Sequence, residues 1–176
     1  MKRYISLAIV AFSLFSLSNA YAYSGRDPVY AHGTVYRVID GDTYQVNIDK
    51  DAYDKMKIAT NGQSKRLRHM IDKYQSIRVR LASVDTQESV HPDKSKNTAE
   101  GKSVSDEIKS LIQGKESDLM CYDFGTYGRA ICSIKIHSNE GDFDLGAYLI
   151  KKGYSPYVTS WGKNPFYDEE YRNLSQ

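Results

Sequence analysis

Apolar and polar residues alternate along much of this chain, and the period of the alternation marks its elements. Gly33 to Ile39 is rich in β-branched and aromatic residues, Tyr44 to Ile48 alternates apolar with polar, and Ser76 to Val84 alternates again. Each predicts a strand. A polar, Lys-rich loop runs from His91-Pro92 to Lys96, and Asn97 is then the expected helix cap. Glu100 sits three residues on, Val104, Ile108, Leu111 and Ile112 recur at helical spacing, and Gly114 closes the segment. Asp118 to Tyr122 and Ala130 to Ile136 predict two strands flanking Phe124-Gly125-Thr126-Tyr127-Gly128, an antiparallel hairpin. Leu145, Tyr148 and Leu149 predict a short helix ending at Gly153, and Pro165 to Leu174 another.

Three strands, a helix, two strands and a helix make a mainly β fold with α (α+β). Five strands with a helix between the third and fourth fit a five-stranded OB-fold Greek-key barrel with appended helices, a shape suited to holding oligonucleotides. The helix position argues against a parallel α/β sheet. One segment departs from this plan. Asp49 to Tyr74 is long for a hairpin connection, and Leu67, Met70, Ile71 and Tyr74 carry helical spacing, so residues 49–75 are read as an inserted helical segment. Lys65, Arg66, Arg68 and Lys73 make it basic, fitting a solvated face first and a phosphate backbone second.

The start of the chain has another character. Lys2 and Arg3 form a positive n-region, Tyr4 to Leu17 an apolar stretch without charge, and Ala20-Tyr21-Ala22 a small-residue cleavage site, with Ser18-Asn19-Ala20 competing. The apolar run is shorter than the roughly 20 residues that span a bilayer. Residues 1–22 are therefore read as a signal peptide, and residues 23–176 as a single domain of an exported protein, periplasmic or secreted, not membrane-bound and monomeric. The formal net charge is +2, from 24 basic and 22 acidic residues; removing Lys2 and Arg3 leaves 22 against 22. Binding to an anionic polymer must then come from local placement of charge. Outside the cytosol disulfides persist, and the predicted hairpin brings Cys121 toward Cys132. A disulfide is expected, with two buried free thiols as the alternative.

Three short pieces carry chemistry. Val38-Ile39-Asp40-Gly41-Asp42-Thr43 joins the first two strands, and Asp-Gly alone is a favoured hairpin turn. Turn chemistry does not require the second carboxylate, and two acids on one tight loop repel unless a cation is shared. In Arg78-Val79-Arg80-Leu81-Ala82-Ser83-Val84-Asp85-Thr86-Gln87-Glu88 an alternating strand runs straight into acids, with Val79 and Leu81 on the inward face and Arg78 and Arg80 on the other. Hard oxygen ligands such as Asp42 and Asp85 suit Ca2+ or Mg2+, whereas an arginine fork suits phosphate. Tyr127-Gly128-Arg129 supplies a second cation, as a phosphodiester transition state requires.

These pieces, in this order and with His91-Pro92 after the second, resemble the staphylococcal nuclease (thermonuclease) family over about Gly33 to Gly153. The resemblance implies an OB barrel with appended helices. It further implies one Ca2+ held by the carboxylates of Asp42 and Asp85 and the carbonyl of Thr86, with Asp40 in the outer shell. Mg2+ is the less favoured ion. Glu88 is implied as general base or water-positioner, and Arg80 and Arg129 as the grip on the scissile phosphate of DNA or RNA, giving 3′-phosphate and 5′-hydroxyl products. Gln87 stands where the family usually has proline, which would loosen this loop. The 49–74 connection is long and the C-terminal helix short.

The rival reading is a catalytically inactive OB-fold module that binds nucleic acid; the full set of charged positions argues against it. A Ca2+-binding structural protein leaves the two arginines without an anion. His32, His69, His91 and His137 fall in no HExxH or Cys/His spacing, which argues against zinc hydrolysis.

Overall fold

A computed structural model describes residues 27–176; the expected signal peptide lies outside the described residues. In chain order the elements are β1 (Val29–Asp40), β2 (Thr43–Ile48), α1 (Lys50–Ala59), α2 (Ser64–Leu67), β3 (Met70–Ile71), β4 (Ser76–Leu81), α3 (Ala99–Ile112), β5 (Glu116–Phe124), β6 (Ala130–Ile136), β7 (Phe143–Asp144), α4 (Leu145–Lys151) and α5 (Asp168–Leu174). The sheet order is β3-β4-β2-β1-β5-β6-β7, and β4 also pairs with β6. That last pairing is parallel and closes β1, β2, β4, β5 and β6 into a five-stranded barrel. The OB-type α+β reading of the sequence holds.

Alternation decides which side chains fill the barrel. Val35, Val46, Ile77, Val79, Leu81, Leu119, Ile134 and Ile136 point inward and are buried, while Arg78 and Arg80 lie on the other face of β4. Helix α3 buries Val104, Ile108 and Ile112, and α4 adds Leu145 and Leu149. The strands run beyond their predicted bounds because β1 pairs with β5 from Val29 onward before it turns to pair with β2.

Two local expectations change. The cap of α3 is Thr98, whose hydroxyl accepts from Gly101 N. Asn97 is used elsewhere: its Oδ1 accepts from His91 N at 2.6 Å and its Nδ2 donates to His91 O at 3.3 Å, closing the 91–97 loop. In the 49–75 segment the longest helix is α1, capped by Asp49 and burying Ala52, Tyr53 and Met56. The Leu67, Met70, Ile71 and Tyr74 spacing does not form one helix. Met70 and Ile71 pair with Ile77 and Ser76 at the edge of β4, because an unpaired strand edge offers backbone partners that outweigh local helical spacing.

Cys121 and Cys132 face each other across β5 and β6, Cα to Cα 4.0 Å, and are joined in a disulfide. The sequence separation is 11. Loop-closure entropy for such a loop is about 3 kcal/mol on the chain-entropy model. Cys121→Ser with Cys132→Ser is therefore expected to lower the unfolding free energy by about 2–3 kcal/mol, read by urea titration with and without reductant. Equal stability of the two forms would refute this.

Asp144 caps α4 and receives Ala147 N at 2.7 Å and the buried Tyr171 hydroxyl at 2.5 Å on Oδ1, while Oδ2 lacks a partner. Burial lifts its pKa from 3.8 to about 6, against the hydrogen bonds that pull it down. A carboxyl raised in the folded state contributes stability that is full below its unfolded pKa and is lost as pH rises through the folded value. Wild type should thus lose on the order of 2 kcal/mol between roughly pH 4 and 6 from this group. Asp144→Asn keeps an acceptor for Tyr171 and should flatten that part of the Tm against pH curve. An unchanged curve would exclude Asp144 as its source.

Candidate active site

The site is built at one end of the barrel, where β1 turns into β2 and β4 leaves the sheet. Asp40 ends β1, Asp42 stands in the turn, and Thr43 opens β2 opposite Arg80 of β4. Asp42 is buried. Its Oδ2 accepts from Thr86 N at 2.9 Å and Thr86 Oγ1 at 3.1 Å, and its Oδ1 from Thr43 Oγ1 at 3.1 Å. Arg80, with a side chain only 12% exposed, reaches two acids at once: Nη1 lies 2.6 Å from Asp42 and Nη2 2.6 Å from Asp85. The second contact is an aligned hydrogen bond; the first is a charge contact without that alignment. Burial pushes the Asp42 carboxyl up from the usual range, and Arg80 and the Thr86 N–H pull it back.

Asp40 is tied away from this group. Its Oδ1 accepts from Gly41 N at 2.9 Å, Ser89 Oγ at 2.6 Å and Ser105 Oγ at 3.0 Å, so it braces the loop after β4 against α3. Glu88 reaches the same corner. Its pKa is raised, first by desolvation, then by the charge of Asp40 and a hydrogen bond with it, and further by Asp42. Such a carboxyl is closer to neutrality as a proton acceptor than an ordinary glutamate.

Arg129 precedes β6, and its Nη1 donates to Thr43 Oγ1 at 2.9 Å. The Thr43 hydroxyl in turn donates to Asp42, so one hydroxyl links the arginine to the buried acid. Burial and neighbouring Arg80 both work against the Arg129 charge, yet a guanidinium stays cationic at neutral pH. The structure thus brings together Asp40, Asp42, Arg80, Asp85, Thr86, Glu88 and Arg129. Two guanidinium cations, Arg80 and Arg129, stand among four carboxyl groups, those of Asp40, Asp42, Asp85 and Glu88.

A family model described as staphylococcal nuclease homologue matches residues 78–176. The chain belongs to the staphylococcal nuclease family. No match was found among curated proteins. The matched stretch includes Arg80, Asp85, Glu88 and Arg129; Asp40 and Asp42 precede it, and it is the β2–β4 pairing that sets Asp42 beside Arg80.

Several contributors are not legible as motifs. Thr43, Ser89 and Ser105 are common polar residues whose roles depend on distant partners. A cleft of about 350 Å3 beside Arg80 and Arg129 is lined by Tyr122, Phe124, Tyr127 and Trp161. Tyr127 and Trp161 are largely exposed there. Their rings suit stacking of a nucleobase. The inserted segment supports this wall. Arg66 packs over the Phe124 ring at 4.6 Å, and Arg68 Nη2 and His69 Nε2 both contact Tyr127 O, at 3.2 and 2.9 Å. Gly128 has φ 82°, and a Cβ there would stand 2.1 Å from Lys65 O, so only glycine admits this contact.

The loop carrying Glu88 is seated on the start of α3. Thr98 N donates to Glu88 O at 3.0 Å, and the Thr98 hydroxyl to Gln87 Oε1 at 3.1 Å. Gln87 therefore provides a tie where a loosened loop is expected. A Cβ on Gly101 would lie 2.5 Å from Glu88 O and 2.7 Å from Gln87 O. Glycine to alanine inside a helix ordinarily stabilises by about 1 kcal/mol; here the clash is with backbone. Gly101→Ala is expected to destabilise by about 1–3 kcal/mol instead and to lower turnover through a displaced Glu88. A more stable variant with full activity would show that this contact does not position the loop.

Proposed function

We propose that the protein is an exported, Ca2+-dependent nuclease that hydrolyses phosphodiester bonds of DNA or RNA. The observation that carries this reading is the convergence of Asp42, Asp85 and Thr86 with Arg80 and Arg129 around one corner of the barrel. The donor set fits the ion: carboxylate and carbonyl oxygens are hard ligands, and a buried carboxyl raised by desolvation gains from a nearby dication. Asp42, Asp85 and the Thr86 carbonyl would hold Ca2+, with Asp40 fixing the shell behind them. When bound, the ion supplies positive charge toward the scissile phosphate.

The chain's own groups account for the remaining steps. Glu88 takes a proton from, or orients, the water that attacks phosphorus. Arg80 and Arg129 donate to the phosphate oxygens, where negative charge grows in the transition state. The bond from phosphorus to the 5′-oxygen breaks and that oxygen acquires a proton, leaving a 3′-phosphate and a 5′-hydroxyl. Support for export comes from the charged and apolar pattern of residues 1–22 and from the disulfide. Among the described residues no helix is long and apolar enough to cross a membrane.

Purified protein is expected to degrade plasmid DNA or RNA in Ca2+ and to stop in chelator. Asp42→Ala and Asp85→Ala should lower turnover by orders of magnitude with the fold kept. Arg129→Lys keeps charge but loses the planar fork; kcat should fall about 100-fold or more with little change in KM, by analogy with loss of one oxyanion donor. Nucleic-acid binding with no cleavage in any of these conditions would establish the inactive binding module instead. Normal kcat in Arg129→Lys would remove that residue from the phosphate clamp.

A further inference from the structure

His32 of β1, Asp118 of β5 and His137, immediately after β6, meet on the outside of the barrel. His32 stands directly opposite Asp118 across the β1–β5 ladder. His137 N donates to Glu116 O at 2.9 Å, tying the end of β6 to the start of β5. His32 Nδ1 is 2.9 Å from Asp118 Oδ1, and His137 Nε2 is 3.0 Å from Asp118 Oδ2. The ligand atoms of the three residues all lie within 4.8 Å of one another.

A second layer supports them. His137 Nδ1 is 3.0 Å from Asp142 Oδ2, and Lys135 Nζ lies 3.6 Å from the same oxygen. With Nδ1 engaged by a carboxylate, Nε2 is the atom left to lose its proton to solvent and coordinate a metal through the freed lone pair. The cluster is remote from the nuclease corner. His32 and Asp40 are eight positions apart on β1, roughly 26 Å of extended chain.

We propose that His32, Asp118 and His137 form a second metal site, selective for a borderline transition-metal dication such as Zn2+ and independent of the nuclease site. Two imidazole nitrogens and one carboxylate oxygen match zinc and its neighbours; Ca2+ requires six to eight oxygens, which are absent from this cluster. Zinc bonds of about 2.0–2.1 Å in a tetrahedron separate the ligand atoms by roughly 3.3 Å. The three side chains are 56%, 50% and 30% exposed, which leaves them room to rotate toward that spacing. Water completes the fourth position. Ligands from β1, β5 and the end of β6 make the ion a clamp across three strands, and an ion that binds only the folded chain stabilises it by mass action.

Untagged protein, stripped of metal, should be titrated with Zn2+ by calorimetry beside His32→Ala, His137→Ala and Asp142→Asn. Wild type is expected to take one Zn2+ per chain with micromolar or tighter affinity. Either histidine variant should lose at least tenfold in affinity, and Asp142→Asn about tenfold, as supporting-carboxylate losses do. Saturating Zn2+ should raise the Tm of wild type and leave that of the histidine variants unmoved. None of these readouts depends on nuclease activity. Absence of Zn2+ binding in wild type, or binding unaltered in both histidine variants, would overturn the site and leave a hydrogen-bonded His-Asp-His network.

Discussion

The short parallel seam between β4 and β6 is what the rest of the molecule depends on. Only Val79, Arg80 and Leu81 pair there with Ala130, Ile131 and Cys132, yet this closes the sheet into a barrel and removes two open edges. The seam continues in Ala82 N donating to Cys132 O, while Leu81 N donates to Asp42 O in the β1–β2 turn, each at 2.9 Å. Arg80 and Arg129 are brought to one corner by this pairing and by nothing local in the chain. The disulfide holds β6 from its other side, through Cys121 of β5. A parallel pairing costs much loop entropy to form, since its strands are distant in sequence.

Within that corner the main tension is electrostatic. Asp42 and Glu88 sit in a desolvated place beside Asp40, and burial first, then the Asp40 charge, pushes both of their carboxyls toward protonation. The fold answers with Arg80 between Asp42 and Asp85, and with serine and backbone donors around Asp40. A chain whose expected mature form carries no net charge thus builds strong local fields of both signs. Fields of both signs at one corner are what the proposed polyanionic substrate and dication would require.

The basic insertion is not a free charged arm. Arg66 is placed on the Phe124 ring and Arg68 on the Tyr127 carbonyl, while α1 tucks Tyr53 and Met56 into the core. The insertion acts as a buttress for the hairpin that presents Arg129, and its Lys65 carbonyl presses against Gly128. Its charge therefore contributes to the shape of the aromatic cleft as well as to its potential.

The sequence alone determined the elements whose signal is periodic and local. Alternation at 76–81 and 130–136, the Val104, Ile108 and Ile112 stripe and the Asp-Gly turn were enough for an OB barrel, and the charged residues of the three ordered motifs fall together at one corner of it. Local signals failed where tertiary partners outweighed them: Asn97 gave up the α3 cap to Thr98, and Met70 and Ile71 joined a strand edge in place of a helix. Only the tertiary structure assigned Thr43, Ser89 and Ser105 to the site. It alone brought His32 and His137, which share no motif spacing, onto one carboxylate. Periodicity reports which face of an element is buried, whereas the pairing of distant strands decides which exposed side chains become neighbours.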